Sequence, residues 1–221
     1  MLLTEQFGLV AADLLFPPHC VHCERVGSFL CRHCLAAMQP AMPRHLADFD
    51  AVHVCVDFEG PARDAVHALK YEGVRRMVLP LGELLAGEIQ ATGWPVDVVT
   101  AVPLHPTRQR TRGYNQAMWL AGHVALALGA EFAPDALRRH RDTPSQVNLN
   151  AAERQANVAG AFAADGALVV GRSVLVVDDV LTTGATLSAC AAALREVGVA
   201  RVFGAAVAGA VFAEVRERPV V

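Results

Sequence analysis

Residues 173–190 read S-V-L-V-V-D-D-V-L-T-T-G-A-T-L-S-A-C. Four apolar residues, Val174 to Val177, run without a break, as in a parallel strand covered by helices on both faces. Asp178 and Asp179 follow at its carboxyl end, then a small-residue loop of Thr182, Thr183, Gly184, Ala185 and Thr186. Beyond the loop, Leu187, Cys190, Leu194 and Val197 recur at helical spacing as far as Gly198. The order is strand, acidic pair, loop, helix. Threonine hydroxyls, a glycine that admits close approach, and free N–H groups at a helix start together make an anion site suited to a phosphate. Two adjacent carboxylates beside it suit sugar hydroxyls, a magnesium ion, or both. An ordinary strand–turn–helix with a capping threonine and a solvated acidic pair would use the same residue types.

On either side, Asp97 to Val102 and Val202 to Val207 are further candidates for buried strands. Val52, Val54, Val56 and Phe58 alternate with His53, Cys55, Asp57 and Glu59, which predicts a strand with one wet face at a sheet edge or in a hairpin. Helices are predicted from Gly60-Pro61 to Tyr71, from Leu79 to Gln90 and from Asn115 to Leu128. The pattern predicts an α/β domain with a doubly wound, mainly parallel sheet, in which ligands bind beyond the carboxyl ends of the strands. Lys70, at a helix end, reads equally as a solvated cation or as a ligand.

The chain has 221 residues, 53% of them apolar, enough for one α/β domain plus an appendage and too apolar for disorder to dominate. Net charge is −3, so no global positive field draws it to nucleic acid. Residues 1–16 are apolar but lack a basic start and carry Glu5 and Asp13, which predicts a packed amphipathic helix, not a signal peptide. No apolar run reaches the roughly 18 residues of a membrane span, and the reading is of a cytoplasmic protein without membrane insertion.

Cys20, Cys23, Cys31 and Cys34 form two C-x2-C knuckles, a spacing at which one tetrahedral Zn²⁺ takes all four thiolates in a closed, structural site. Two disulfides are the alternative, in an oxidising compartment that nothing else here implies. His19, His22 and His33 lie close by, but four cysteines already fill the shell. A module this short cannot form a core alone, so metal binding worth ~10–16 kcal/mol would hold its fold. Cys55 and Cys190 read as small buried hydrophobes. Pro40 and Pro43 mark the exit, giving a zinc module over 1–45 and a second domain over 46–221.

After Val102 the chain reads P-L-H-P-T-R-Q-R-T-R-G-Y-N-Q. Arg108, Arg110 and Arg112 are two apart, and an extended loop would throw all three guanidiniums to one side. A solvated arginine run is the plainer account. Residues 138–162 form a long polar stretch, read as a mobile flap, with Asn150 and Glu153 as a capping-box-like helix start. The charged tail from Glu214 to Arg218 is read as exposed.

The run V-V-D-D-V-L-T-T-G-A-T resembles the phosphoribosyl-pyrophosphate (PRPP) motif of type I phosphoribosyltransferases. With the four-cysteine module, the R-x-R-G-Y-N-Q block and T-x2-Q-x7-R-x2-N-x2-G-A-F (Thr143, Gln146, Arg154, Asn157, Gly160 to Phe162), nearly the whole chain resembles the ComF family. The resemblance implies a type I phosphoribosyltransferase core behind a zinc finger, and a role in natural transformation and the handling of incoming single-stranded DNA.

Breaking the C1–pyrophosphate bond of PRPP builds positive charge on ribose and negative charge on pyrophosphate, so a site for it needs Mg²⁺, arginines and fixed contacts on the sugar and its 5′-phosphate. By the resemblance, Asp178 and Asp179 hold ribose hydroxyls and organise Mg²⁺, and Thr182 to Thr186 cradle the 5′-phosphate. Arg108, Arg110, Arg112 and Lys70 are the candidates on the pyrophosphate side. Purine-using relatives of this motif place a third acid where Thr182 stands, so no general base is visible here. Three readings follow: a phosphoribosyltransferase, a PRPP-binding regulator, and an adaptor for single-stranded DNA or competence proteins. Aromatic residues at 6% of the chain count against a dedicated single-strand binder.

Overall fold

The computed structural model describes residues 17–71, 74–104, 107, 110, 113–141, 158 and 160–211. The expectations placed on residues 1–16, on Arg108 and Arg112, on 142–157 and on the tail lie outside these.

In chain order the elements are α1 (Arg32–Ala36), β1 (Ala51–Asp57), α2 (Gly60–Tyr71), α3 (Val78–Thr92), β2 (Val98–Ala101), α4 (Gln116–Leu128) and β3 (Glu131–Phe132). There follow β4 (Leu137–Arg139), β5 (Phe162–Ala164), α5 (Gly166–Val169), β6 (Ser173–Leu181), α6 (Ala185–Glu196) and β7 (Arg201–Gly209). Five strands make one parallel sheet in the order β1-β7-β6-β2-β3, while β4 and β5 pair antiparallel apart from it. The expected doubly wound α/β architecture is present. From β2 the chain crosses through α4 outward to β3, and from β6 through α6 the other way to β7. The crevice where crossovers diverge therefore lies between β2 and β6, the place where such sheets bind ligands.

The unbroken apolar run in β6 is explained by burial on both faces. Leu175 and Val177 join the core under α2, α3 and α4, with Leu69, Leu81, Leu85 and Leu120. Val174 and Val176 join the core under α6, with Leu187, Leu194 and Phe162. Asn115 caps α4 by accepting from Ala117 N at 3.0 Å, and Gly129 ends that helix in the left-handed region at φ 66°.

β1 is an edge strand, but its expected wet face is largely covered. Cys55 and Asp57 are buried, and half-buried His53 lies 3.2 Å from Glu88 on α3. The cover on that face comes from α3, whose Leu81, Leu85 and Ile89 share a core with Cys55, while residues 39–44 run antiparallel along the outer edge of β1. Ala41 N donates to Cys55 O, Asp57 N donates to Gln39 O, and Arg44 bridges Val52. Edge backbone groups that would otherwise face solvent are thereby paired. Among the described residues no helix is long and apolar enough to cross a membrane.

Candidate functional site

β6 outruns β2. The two pair only as far as Val177 opposite Ala101, with one further bond from Val102 N to Val177 O, whereas β7 follows β6 through Leu181 opposite Gly209. Asp178 and Asp179 thus lie within the strand, where β2 has already turned away, and a cleft of about 180 Å³ opens beside them. Lys70, Tyr71, Val102, Asn115, Gln116, Arg139, Thr182 and Thr186 complete much of its wall.

Alternation along the strand splits the acidic pair between the two faces. Asp179 is 3% exposed and meets Lys70, whose Nζ is 2.6 Å from Oδ1. Its Oδ2 is buried and has no hydrogen-bond partner among the described residues. Asp178 is half-buried, and its Oδ1 accepts from Asp179 N at 2.8 Å. Burial, and then the charge of Asp179, push the Asp178 carboxyl up to about 7, against the opposing pull of Lys70 and that backbone N–H.

The loop from Thr182 to Thr186 encloses a small separate cavity of about 20 Å³. Gly184 precedes α6 at φ +83°, a backbone that side chains rarely adopt, and gives the helix no side-chain cap. Thr183 Oγ1 accepts from Ala185 N at 3.4 Å. A helix start whose cap residue has no side chain, with threonine hydroxyls beside it and, among the described residues, only Ala185 N engaged by Thr183, is the geometry expected of an anion cradle.

Of the four pyrophosphate-side candidates, Lys70 reaches the cleft. Arg110 is exposed, does not line it, and donates to Thr107 Oγ1 at 3.2 Å. Thr107 and Arg110 have helical backbone, so the extended loop expected there is not what these two residues form.

Of the Y-N-Q triplet, Asn115 and Gln116 line the wall and Tyr114 braces it from behind. Tyr114 OH donates to Leu69 O at 2.5 Å, one residue before Lys70. Its ring stacks on Trp119 with 4.4 Å between centroids, under the guanidinium of Arg75. Asn115 Nδ2 donates to Val102 O at the end of β2. These contacts fix the helix end that carries Lys70. Tyr114→Phe is expected to lower stability by about 1–2 kcal/mol by removing a buried hydrogen bond to the Leu69 carbonyl; denaturant unfolding with unchanged midpoint would refute that role.

Arg139 is a wall residue that the sequence did not single out. It sits on β4 with its guanidinium 5.3 Å above the Phe162 ring centroid. Nothing in the spacing of the R-R-H-R run separates it from exposed Arg138; only the pairing of β4 with β5 turns it to the cleft.

At the other end of the chain, the four sulfurs of Cys20, Cys23, Cys31 and Cys34 lie within 4.8 Å of one another. A zinc ion with bonds of ~2.3 Å sets its sulfurs ~3.8 Å apart, so the cluster fits a tetrahedral site after slight contraction. Cys31 N donates to Cys20 Sγ, and Cys34 N to Cys31 Sγ, each at 3.5 Å. Such donors stabilise thiolates. The cluster can hold a zinc ion, and all six cysteines are free.

A phosphoribosyl transferase domain is matched over residues 115–218. The DNA utilization protein YhgH of Salmonella typhi is 31% identical over 194 residues, 83% of this chain and 85% of that protein. Competence protein F of Haemophilus influenzae is 27% identical over 194 residues, 82% of this chain and 80% of its own length. Among solved structures, the B. subtilis glutamine PRPP amidotransferase complexed with ADP and GMP is 27% identical, with a TM-score of 0.40 over 57% of this chain and 25% of that one. With the acidic pair, the threonine loop and the four-cysteine cluster in place, the YhgH match shows that the chain belongs to the ComF family of phosphoribosyltransferase-like proteins.

Proposed function

We propose that the cleft binds PRPP with Mg²⁺ and that the protein is a phosphoribosyltransferase-like component of competence and DNA utilization, working in the cytoplasm. The observation that carries this reading is the buried Oδ2 of Asp179, without a partner among the described residues, beside the half-buried Asp178 and a few residues before a helix start that Gly184 leaves without a side-chain cap. A buried carboxylate oxygen left without a donor is costly, and a hydroxyl or a hard cation removes that cost. Mg²⁺, when bound, would offset charge building on the pyrophosphate. Asp178 and Asp179 orient the ribose hydroxyls and supply oxygen ligands to the cation. Residues 182–186 take the 5′-phosphate, and Lys70 offers its charge to the leaving group once a ligand shares Asp179. Arg108, Arg110 and Arg112 remain candidates for the same end. In this reading residues 1–45 are a zinc-stabilised module and 46–221 the PRPP domain.

A PRPP-binding regulator is the second reading. Thr182, not an acid, lines the cleft, and Asp178 and Asp179 are the only carboxylates on its wall among the described residues. Single-stranded DNA and competence proteins are the proposed partners under either reading, on the names of the relatives. Pyrophosphate release from PRPP and Mg²⁺ with a panel of nucleobases and short oligonucleotides separates the two. Turnover lost in Asp178→Asn establishes a transferase, whereas tight binding without turnover establishes the regulator.

Affinity should also depend on pH. With the Asp178 carboxyl up at about 7, its ionised fraction rises about tenfold from pH 6 to pH 8, and Mg²⁺-dependent PRPP affinity should rise with it. Titrations of the parent and of Asp178→Asn at both pH values check this, since the variant keeps only the pH dependence of PRPP itself. Equal dependence in both proteins would contradict the assignment.

A further inference from the structure

We propose that Leu46, in the segment joining the four-cysteine module to β1, is a positioning residue for the phosphate loop; this rests on the reading of residues 182–186 as a 5′-phosphate cradle. A Cβ added to Gly184 would lie 2.7 Å from Leu46 Cδ2 and 3.0 Å from Cδ1. Leu46 therefore occupies the space over the one residue whose backbone, at φ +83°, sets the turn from β6 into α6. Two functions of glycine coincide there: the left-handed conformation and the vacancy that admits Leu46.

The segment holding Leu46 is fastened on both sides. Upstream, Met38 is buried in the same core as Cys20, Cys31 and Cys34, and backbone bonds tie Gln39 to Asp57 and Ala41 to Cys55. Downstream, Phe49 N donates to Leu46 O at 3.0 Å, and the Phe49 ring is buried against Gly204 and the α6 core. Asp50 then accepts from Val202 N and from Arg195 Nη2, each at 2.7 Å. Leu46 itself is only half-buried, packed on the edge of the α6 core. With its neighbours pinned, its backbone cannot draw away from Gly184 without releasing one of these anchors. The module also touches α2, the helix whose last turn carries Lys70, where His22 Nδ1 lies 2.8 Å from Asp64 Oδ2. Seating of the four-cysteine module is thereby coupled to the site at the 5′-phosphate end through Leu46.

The test separates the two ends of PRPP. Wild-type protein, Leu46→Ala and Leu46→Met are titrated with ribose 5-phosphate and, separately, with magnesium pyrophosphate. Leu46→Ala should weaken ribose 5-phosphate by about tenfold, within the usual range of coupling between sites, and leave magnesium pyrophosphate unchanged. Leu46→Met, of similar volume, should restore binding. Leu46→Val shortens the reach without emptying the position and should give the same ordering at smaller size. Unchanged ribose 5-phosphate binding in the Ala variant overturns the proposal, and so does an equal loss at both ends, which marks general loosening. Wild-type protein that binds neither PRPP nor ribose 5-phosphate overturns instead the reading of the cradle on which this rests.

Discussion

Asp178→Asn and Asp179→Asn should each weaken Mg²⁺-dependent PRPP binding by on the order of 1.5–3 kcal/mol, the range for hydrogen bonds to charged groups, while moving stability in opposite directions. In the folded protein Asp178 holds a proton up to about pH 7, whereas the unfolded chain releases it near the ordinary value of 3.8. The folded state thus binds more protons between those values, and stability falls as pH rises through that window. Asparagine does not ionise and still accepts from Asp179 N. Asp178→Asn should therefore be more stable than the parent at pH 8 and close to it near pH 4. Asp179→Asn breaks the pair with Lys70 and leaves a largely buried ammonium without its counter-charge, at a cost of on the order of 1–3 kcal/mol. Thermal unfolding at pH 4 and pH 8 reads both signs. Destabilisation by Asp178→Asn at pH 8 would show that its carboxylate is better solvated than the structure places it.

Zinc should have the second large effect. Purified protein is expected to carry one Zn²⁺ per chain, and its removal by a chelator should lower the melting temperature by on the order of 10 °C. Cys20, Cys31, Cys34, Leu30 and Met38 are continuous with the core under α2 and α3, so the loss should not stay within the module. Cys34→Ser should reproduce it, since Cys34 is 2% exposed and a hydroxyl there is a poor zinc ligand. Elemental analysis and calorimetric scanning make the measurement. Metal content near zero in reduced, chelator-free protein, or two disulfides by mass, would contradict the zinc assignment.

The strands, the long helices and the small-residue loop between β6 and α6 were legible in the sequence because each is a local pattern. Four apolar residues and T-T-G-A-T specify a strand and a helix start without help from elsewhere, although the strand runs on past the two acids to Leu181. The cysteine spacing was likewise self-sufficient. What the sequence did not reveal depends on contacts across long stretches of chain. Lys70 meets Asp179 from far away in the sequence, so its role could not be separated from that of a solvated helix end. Arg139 faces the cleft only because β4 pairs with β5 beyond the polar stretch. The wet face of β1 was misjudged because α3 packs on it, and no local periodicity announces which helix will cover an edge strand. Tyr114 and Asn115 were noticed as part of a motif, but their work is to hold Leu69 and Val102, which only the fold brings near.

The central claim is that the crevice between β2 and β6 is a Mg²⁺-dependent PRPP site, and titration calorimetry of folded, zinc-loaded protein with PRPP tests it most directly. The account predicts one PRPP bound per chain with a dissociation constant well below millimolar, strongly weakened without Mg²⁺ and abolished in the Asp178→Asn, Asp179→Asn double variant. Absence of binding at millimolar PRPP and Mg²⁺, or binding that the double variant retains in full, would contradict it.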